Sequence, residues 1–303
     1  MSVQIPAAMV EQFSSNVEHL GQQMQCRFDG KVRAESQNGK TKFFEQLGAT
    51  KAVKRTARHA DTPRVDSQHR RRAVYLQDYD WSDLVDSLDE VKLLINPTSS
   101  YAISAAMAMN RAKDEEVIAA ATGTAYADVD GSDAVVATVL PTTSKVAVNF
   151  GGASSGLTLG KLIKAKSNIT KSEVPNGTKL FIAVTQQQID DLLNNVNQVS
   201  SSDYAAVKAL VNGDVTYFAG LEFIRLGSDA ANSAALSLSA GDIRTCFAYA
   251  QSGLLRSMGQ DAKSNISIRH DKNDATQVYS NMSVGATRMQ EAYVQEVLCD
   301  ESP

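Results

Sequence analysis

Hydrophobic residues recur at Met9, Phe13, Val17, Leu20 and Met24, nearly every fourth position, which predicts one apolar stripe on a helix over residues 6–24. A helix of that length is marginal alone, so the stripe must pack on its own chain or on a neighbour. From Arg27 to about residue 73 the periodicity stops. One proline (Pro63), three glycines (Gly30, Gly39, Gly48) and dense charge predict an extended excursion of long β-hairpin type outside the core. Leu84, Val85, Leu88, Val91 and Leu94 restore a helical pattern over 83–94. Asn96-Pro97 then offers an N-cap and a first-turn proline, and Gly123 a stop. The 25 residues between, 98–122, are rich in Ala and Met and predict a helix about 38 Å long at ~1.5 Å per residue.

Beyond that helix, 133–148 reads as β-rich and 157–169 as a short helix. Pro175-Asn-Gly-Thr178 predicts a turn, 179–184 (Lys-Leu-Phe-Ile-Ala-Val) a buried strand, and 185–196 a helix with Ile189, Leu192, Leu193 and Val196 on one face. A further helix over 203–210 stops at Asn212-Gly213, and two strands, 215–218 and 222–226, join through Ala219-Gly220. After 245–250 come a helix-like stretch to Met258, a hairpin of 266–269 and 277–284 turned at Asp271–Asp274, and a closing run, 289–298. The order is α+β with mixed antiparallel pairs, without repeating βαβ units or internal repeats.

With 303 residues, 43% hydrophobic and 21% charged, the chain has enough material for a sizeable core and falls outside disordered, collagen-like and coiled-coil compositions. No stretch approaches the ~18 apolar residues of a membrane span, and the first 21 residues lack a signal-peptide layout, so a soluble protein made in a cytoplasm is expected. Cys26, Cys246 and Cys299, far apart in sequence and without C-x-x-C spacing, read as reduced thiols.

Charge changes the picture more than composition does. The net charge of -4 conceals a segment, Arg27 to Arg72, with 13 Lys+Arg against five acids; the rest of the chain holds 17 basic and 29 acidic residues. Six acids then fall between Asp78 and Glu90. A solvated loop beside an acidic helix accounts for each run taken singly. Taken together they fit self-association, the basic segment of one copy lying on the acidic body of the next. Nucleic-acid binding through Arg70-Arg71-Arg72 is the other reading, weakened by the acidic total.

No catalytic constellation emerges. Gly151 to Lys161 has the look of a phosphate loop, but three residues separate Gly156 from Gly160 where four are required, and Leu162 stands where Ser or Thr belongs. Asp128-Val-Asp-Gly-Ser-Asp133 lacks the later bidentate Glu of a calcium loop, so a polar turn is expected. Asp114-Glu115-Glu116 spreads its acids around the helix and reads as a solvated or interface edge. His19, His59, His69 and His270 stand beside no activated nucleophile. Neither a cofactor, a metal nor an enzymatic activity is expected.

The order of elements resembles the major capsid protein of tailed bacteriophages, the Hong Kong 97-like fold. The stretches that carry the resemblance are Arg70 to Leu76 leading into Leu84-Val-Asp86; Asn96 to Tyr101 followed by Met107 to Ala121; and Lys179 to Val184 with Gln188 to Leu193. Gly213 to Phe223 and Val284 to Arg288 complete it. The resemblance implies an N-terminal arm (1–27), an extended loop (28–76) that reaches over a neighbouring subunit, and a peripheral domain (77–156) with a spine helix at 97–122. An axial domain (157–250) and a return to the peripheral domain (251–303) follow. It implies a shell of pentamers and hexamers around double-stranded DNA, with a portal, a separate scaffolding protein and decoration proteins as partners, assembled in the host cytoplasm and involving no membrane. The inter-subunit contacts it suggests are Lys51, Lys54, Arg55, Arg58, Arg64, Arg70, Arg71 and Arg72 on the loop, and Asp78, Asp80, Asp83 and Asp86 on the receiving body. Some members cross-link a loop lysine to an asparagine; Lys51 and Lys54 occupy such a loop, but no Asn or assisting Glu can be assigned and no cross-link is inferred. An encapsulin-type compartment shell and a nucleic-acid-binding protein are the competing functions.

Overall fold

The computed structural model describes residues 20–58, 61–86, 98–128, 135–194 and 216–302. The start of the N-terminal stripe, the Asn96-Pro97 cap, most of the Asp128–Asp133 loop, the 203–210 helix, His19 and His59 lie outside the described residues.

Three sheets and a long helix make up the fold. The first sheet has the order β1 (Arg33–Ser36), β13 (Leu254–Arg269), β14 (Ala275–Arg288), β4 (Gln77–Val85). Its centre is the long β13–β14 hairpin, turned through Asn273 and Asp274 with positive φ. Across it lies α1 (Thr98–Thr122), the helix its composition predicts. Met109 and Ala112 of α1 meet Met282 and Val284 of β14, Tyr79 and Trp81 of β4, and Met258 of β13. Gly123 ends α1 by necessity: its N–H donates to the Ala119 carbonyl at 2.9 Å, and a Cβ there would stand 2.4 Å from that oxygen.

The second sheet runs β7 (Lys145–Val146), β15 (Val294–Asp300), β12 (Ile243–Ala250), β8 (Leu180–Val184), β10 (Leu221–Arg225), β9 (Tyr217–Phe218), with β11 (Leu238–Ser239) on β12. Its central strands are near-continuous apolar runs because both faces are covered. On one side α2 (Leu159–Thr170) supplies Leu162, Ala165 and Ile169, and α3 (Gln186–Asn194) supplies Ile189 and Leu192 to the same core. Val117 and Ala121 of α1 join it, tying the two sheets into one hydrophobic interior. The third sheet, β2 (Thr41–Leu47), β3 (His69–Tyr75), β5 (Ala125–Asp128), β6 (Val136–Thr138), is the rooted end of a hairpin whose connection runs from 48 to 68.

Four expectations are corrected. Residues 83–85 are strand, not helix: Leu84 and Val85 point to opposite faces, one 46% exposed and the other buried, because pairing of Gln77–Val85 with β14 overrides the local helical spacing. The helix-like stretch before Met258 is the start of β13, where Leu254 to Ser257 are buried on both faces. The opening of the charged excursion is core, since Phe28 is fully buried and stacked on Phe247 at 6.1 Å, with Val32 beside the same cluster. Asp114 is no solvated edge but a fully buried anchor. Cys246 and Cys299, remote in sequence, are buried in the same core as free thiols on paired strands.

Candidate assembly surface

Beyond a neck closed by the Gly48 N–H donating to the Gln68 carbonyl at 2.8 Å, the hairpin leaves the body. Every described residue from Ala49 to Arg71 is exposed. Lys51, Lys54 and Arg58 have no ion pair among the described residues; Arg55 donates to the Ala57 carbonyl and Arg64 to Asp66, both within the same tip. Val53 and Val65 are exposed beside them. A segment this long, without a core of its own, repays none of its ordering entropy in the lone chain.

At the root the charges go inward. Strand parity puts Arg71 on the outer face, opposite Glu45 and Asp128, and Arg72 on the core face, opposite Phe44 and Ala127. Arg72 is 4% exposed and donates through Nη2 to Glu291 of its own chain at 2.6 Å. Next to it Arg288, the largest fully buried side chain, aims Nη1 at the carbonyls of Gly123 (2.8 Å), Ala121 (3.1 Å) and Ala120 (3.4 Å), and Nη2 at Thr138 (3.2 Å). A cation therefore sits on the C-terminal carbonyls of the long helix, where the helix dipole is negative. Burial pushes the Arg288 guanidinium below its ordinary range, opposed by Glu291. Its role was readable in principle: Val278, Met282, Val284 and Arg288 share the core-facing parity of β14, and a charge on that parity needs buried partners.

The receiving acids divide between two faces. Tyr79 and Trp81 turn toward α1, so Asp78 and Asp80 look away from it, and Asp80 accepts from the Tyr279 hydroxyl at 2.6 Å. Asp83 lies on the other parity, opposite Val278, and accepts from the Leu84 N–H, while Asp86 follows the strand and is exposed. Since β4 is the edge of its sheet, these carboxylates border an open backbone edge.

Two buried charges hold the frame behind this surface. Asp114 accepts from Gln23 Nε2 (2.5 Å), Cys26 Sγ (2.7 Å) and the N–H groups of Arg27 (2.7 Å) and Phe28 (3.4 Å), clipping the N-terminal strand of chain to the middle of α1. Burial raises the Asp114 pKa against those donors, and burial with Asp114 pushes the Cys26 thiol up to about 12, which leaves it protonated and unreactive. Lys161, the lysine of the glycine-rich loop, is fully buried and donates to the carbonyls of Ser155 (2.6 Å), Gly156 (3.0 Å) and Leu298 (2.9 Å). Its three donors are spent on the chain itself, and burial lowers its pKa. The loop is thus a pinned entry to α2, where Thr158 caps through the Lys161 N–H.

No group of three or more His, Cys, Asp or Glu among the described residues is arranged to hold a metal, and no helix of the described residues is long and apolar enough to cross a membrane. His270 pairs with Asp274 in the exposed hairpin turn, next to no nucleophile.

A mixed α+β body crossed by one long helix, with an uncovered charged hairpin and an acidic edge strand, has the fold of solved phage capsid proteins of the Hong Kong 97-like type. The family model described as phage capsid protein matches residues 5–301, and the chain belongs to that family as a structural capsid protein of tailed phages. Among solved structures, the capsid of the cyanophage P-SCSP1u is similar at a TM-score of 0.72 and 13% identity, covering 100% of this chain and 96% of that one. The head of Helicobacter pylori bacteriophage KHP40 gives 0.72 at 10% identity over 99% and 98%, and the capsid of cyanophage Pam1 gives 0.68 at 11% over 97% and 97%. No curated protein matches significantly.

Proposed function

We propose that copies of this chain close as pentamers and hexamers into an icosahedral head shell around double-stranded DNA, each copy clasping its neighbour with the charged hairpin. The observation that carries this reading is the tip itself: from Ala49 to Arg71 every described residue is exposed, and the cations Lys51, Lys54, Arg55, Arg58, Arg64, Arg70 and Arg71 face outward. The acids that receive it are Asp78, Asp80, Asp83 and Asp86, with Arg72 as the root that holds the hairpin's angle. Each exposed pair contributes about 0–1 kcal/mol, but the tip is tied at both ends and every subunit repeats the contact, so the sum is multivalent. In this reading residues 1–27 are the arm, 28–76 the extended loop, 77–156 and 251–303 the peripheral domain, and 157–250 the axial domain. A scaffolding protein, a portal and decoration proteins complete the assembly, in the host cytoplasm, and the chain itself catalyses nothing.

The test is negative-stain electron microscopy of the chain co-expressed with its neighbouring genes, at low and high salt, with Lys51, Lys54, Arg55 and Arg58 all changed to Gln in a second preparation. Closed polyhedral shells from the first and about tenfold fewer from the second are expected. The neutralised tip should leave the lone chain's stability within about 0.5 kcal/mol, because those side chains are exposed and their one hydrogen bond, Arg55 to the Ala57 carbonyl, lies within the tip. A salt-independent monomer under every condition would refute the reading, and a cargo enzyme inside shells would favour the encapsulin alternative.

A further inference from the structure

We propose that the cavity at the root of the hairpin receives an acidic side chain from a second copy of the chain. This rests on the shell reading above and names the chemistry of one of its contacts. The cavity, about 390 Å³, lies between the core-facing side of the β2–β3–β5 sheet and the 289–292 segment. Gln46, Gln68 and Arg70 form its wall, and Arg72 and Glu291 lie at its base.

Three guanidiniums gather around a single carboxylate there. Arg72 donates to Glu291 at 2.6 Å, Arg288 is buried within electrostatic reach of both, and Arg70 is exposed with no ion pair among the described residues. Among the described residues Arg72, 96% buried, has no acceptor for Nε or Nη1, and Arg288 has none for Nε. Asp128 of the strand alongside is itself buried and stands opposite Arg71, while Ala127 is the residue of β5 that lines the cavity. A guanidinium does not shed its proton to escape burial, so the cluster keeps its positive charge and favours an incoming acceptor.

A carboxylate meets that need best: it accepts two parallel N–H bonds from a guanidinium, and one side chain fits the volume. A nucleic-acid duplex is a convex rod and cannot seat a phosphate against the base of a cavity of this size. The chain carries its own supply in Asp78 and Asp80, exposed two residues apart on the outward face of the edge strand β4, where another copy can present them. Seating one at Arg70 requires a small shift of Arg72 toward the mouth, which its unmatched donors favour.

The decisive experiment is a charge exchange, with Arg70→Glu, Asp80→Arg, Asp78→Arg and the two doubles co-expressed with the neighbouring head genes. Shell yield is read by sedimentation and electron microscopy, and thermal unfolding of the unassembled chain is the control for folding. Arg70→Glu is expected to lose at least tenfold in shell yield with an unchanged melting temperature, and one double to recover most of it. Arg70→Gln, which only removes the charge, gives an intermediate yield and replaces Arg70→Glu should that variant unfold. Wild-type yield from Arg70→Gln, or doubles no better than Arg70→Glu, would overturn the inference while leaving the shell reading intact. Normal shells that lose packaged DNA would assign the cavity to nucleic acid and also overturn it. Wild-type protein that forms no shells would overturn the shell reading itself.

Discussion

Replacing Arg288 with Met removes a buried charge of similar length and leaves the carbonyls of Ala121, Gly123 and Thr138 without that donor. Two terms oppose each other. Met escapes the desolvation that pushes the guanidinium's pKa down, which favours the variant. Against it stand the charge-assisted hydrogen bonds, of which those at 2.8 and 3.1 Å are the strongest, each contributing about 1.5–3 kcal/mol, and the loss of a cation from a helix C-terminus, about 0.3–2 kcal/mol. The carbonyls stay buried and Glu291 loses a nearby cation, so the losses win by about 3 kcal/mol. In a chain of this size, with unfolding entropy of about 2.1 cal/mol/K per residue, that is roughly 5 °C in Tm. Urea titration of the unassembled wild-type and Arg288→Met chains measures it directly. Arg288→Lys should fall between them, because one ammonium cannot span the carbonyls of Gly123 and Thr138 together. A loss below about 1 kcal/mol for Arg288→Met would refute the reasoning, since the carbonyls would then be satisfied without the arginine.

Two further outcomes follow from the packing. Burial alone would raise the pKa of Glu301, but the bidentate bonds from Arg244 at 2.8 and 2.9 Å and the bond from Gln188 at 2.5 Å outweigh it and hold the carboxyl below its ordinary 4.5. Its contribution is therefore present above that value and is lost as pH falls through the depressed one, so Glu301→Gln should destabilise the chain at pH 7 and converge on wild type as urea titrations move down toward about pH 3. Gly285 lets the hairpin root approach β14: a Cβ there would stand 2.0 Å from the Tyr75 carbonyl oxygen, which is backbone and cannot step aside. Gly285→Ala should cost about 1–3 kcal/mol in the same titration, and an unchanged midpoint would show that the root is not fixed by this contact.

How much of this was legible beforehand depended on whether a signal was local. The long helix, α2, the β8 strand, α3 and the Ala219–Gly220 turn were read correctly because periodicity, caps and turn residues act within a few positions. The exposed hairpin was legible from its composition, and the resemblance carried by the order of elements led to the capsid family. Pairing across the fold was not legible: residues 83–85 and 254–258 have spacing a helix would accept, and only β14, and β1 beside it, made them strands.

The charges divide in the same way. Sequence by itself determined that residues 27–72 are basic and the stretch after them acidic, because net charge is a sum that needs no geometry. Only the tertiary structure decided which of those charges are buried and which stay in water. In Arg70-Arg71-Arg72 consecutive side chains alternate across a pleated strand, so Arg71 faces water on one side while Arg70 and Arg72 share the other, where Arg72 is buried against Glu291 and Arg70 stays exposed further out along the strand. Asp114 and Lys161, which the sequence places on a solvated or interface edge and in a plain loop before a helix, became internal fasteners because the folded chain brought backbone donors or carbonyls around each of them. A buried charge is tolerated only where such partners converge, and convergence is a property of the fold alone.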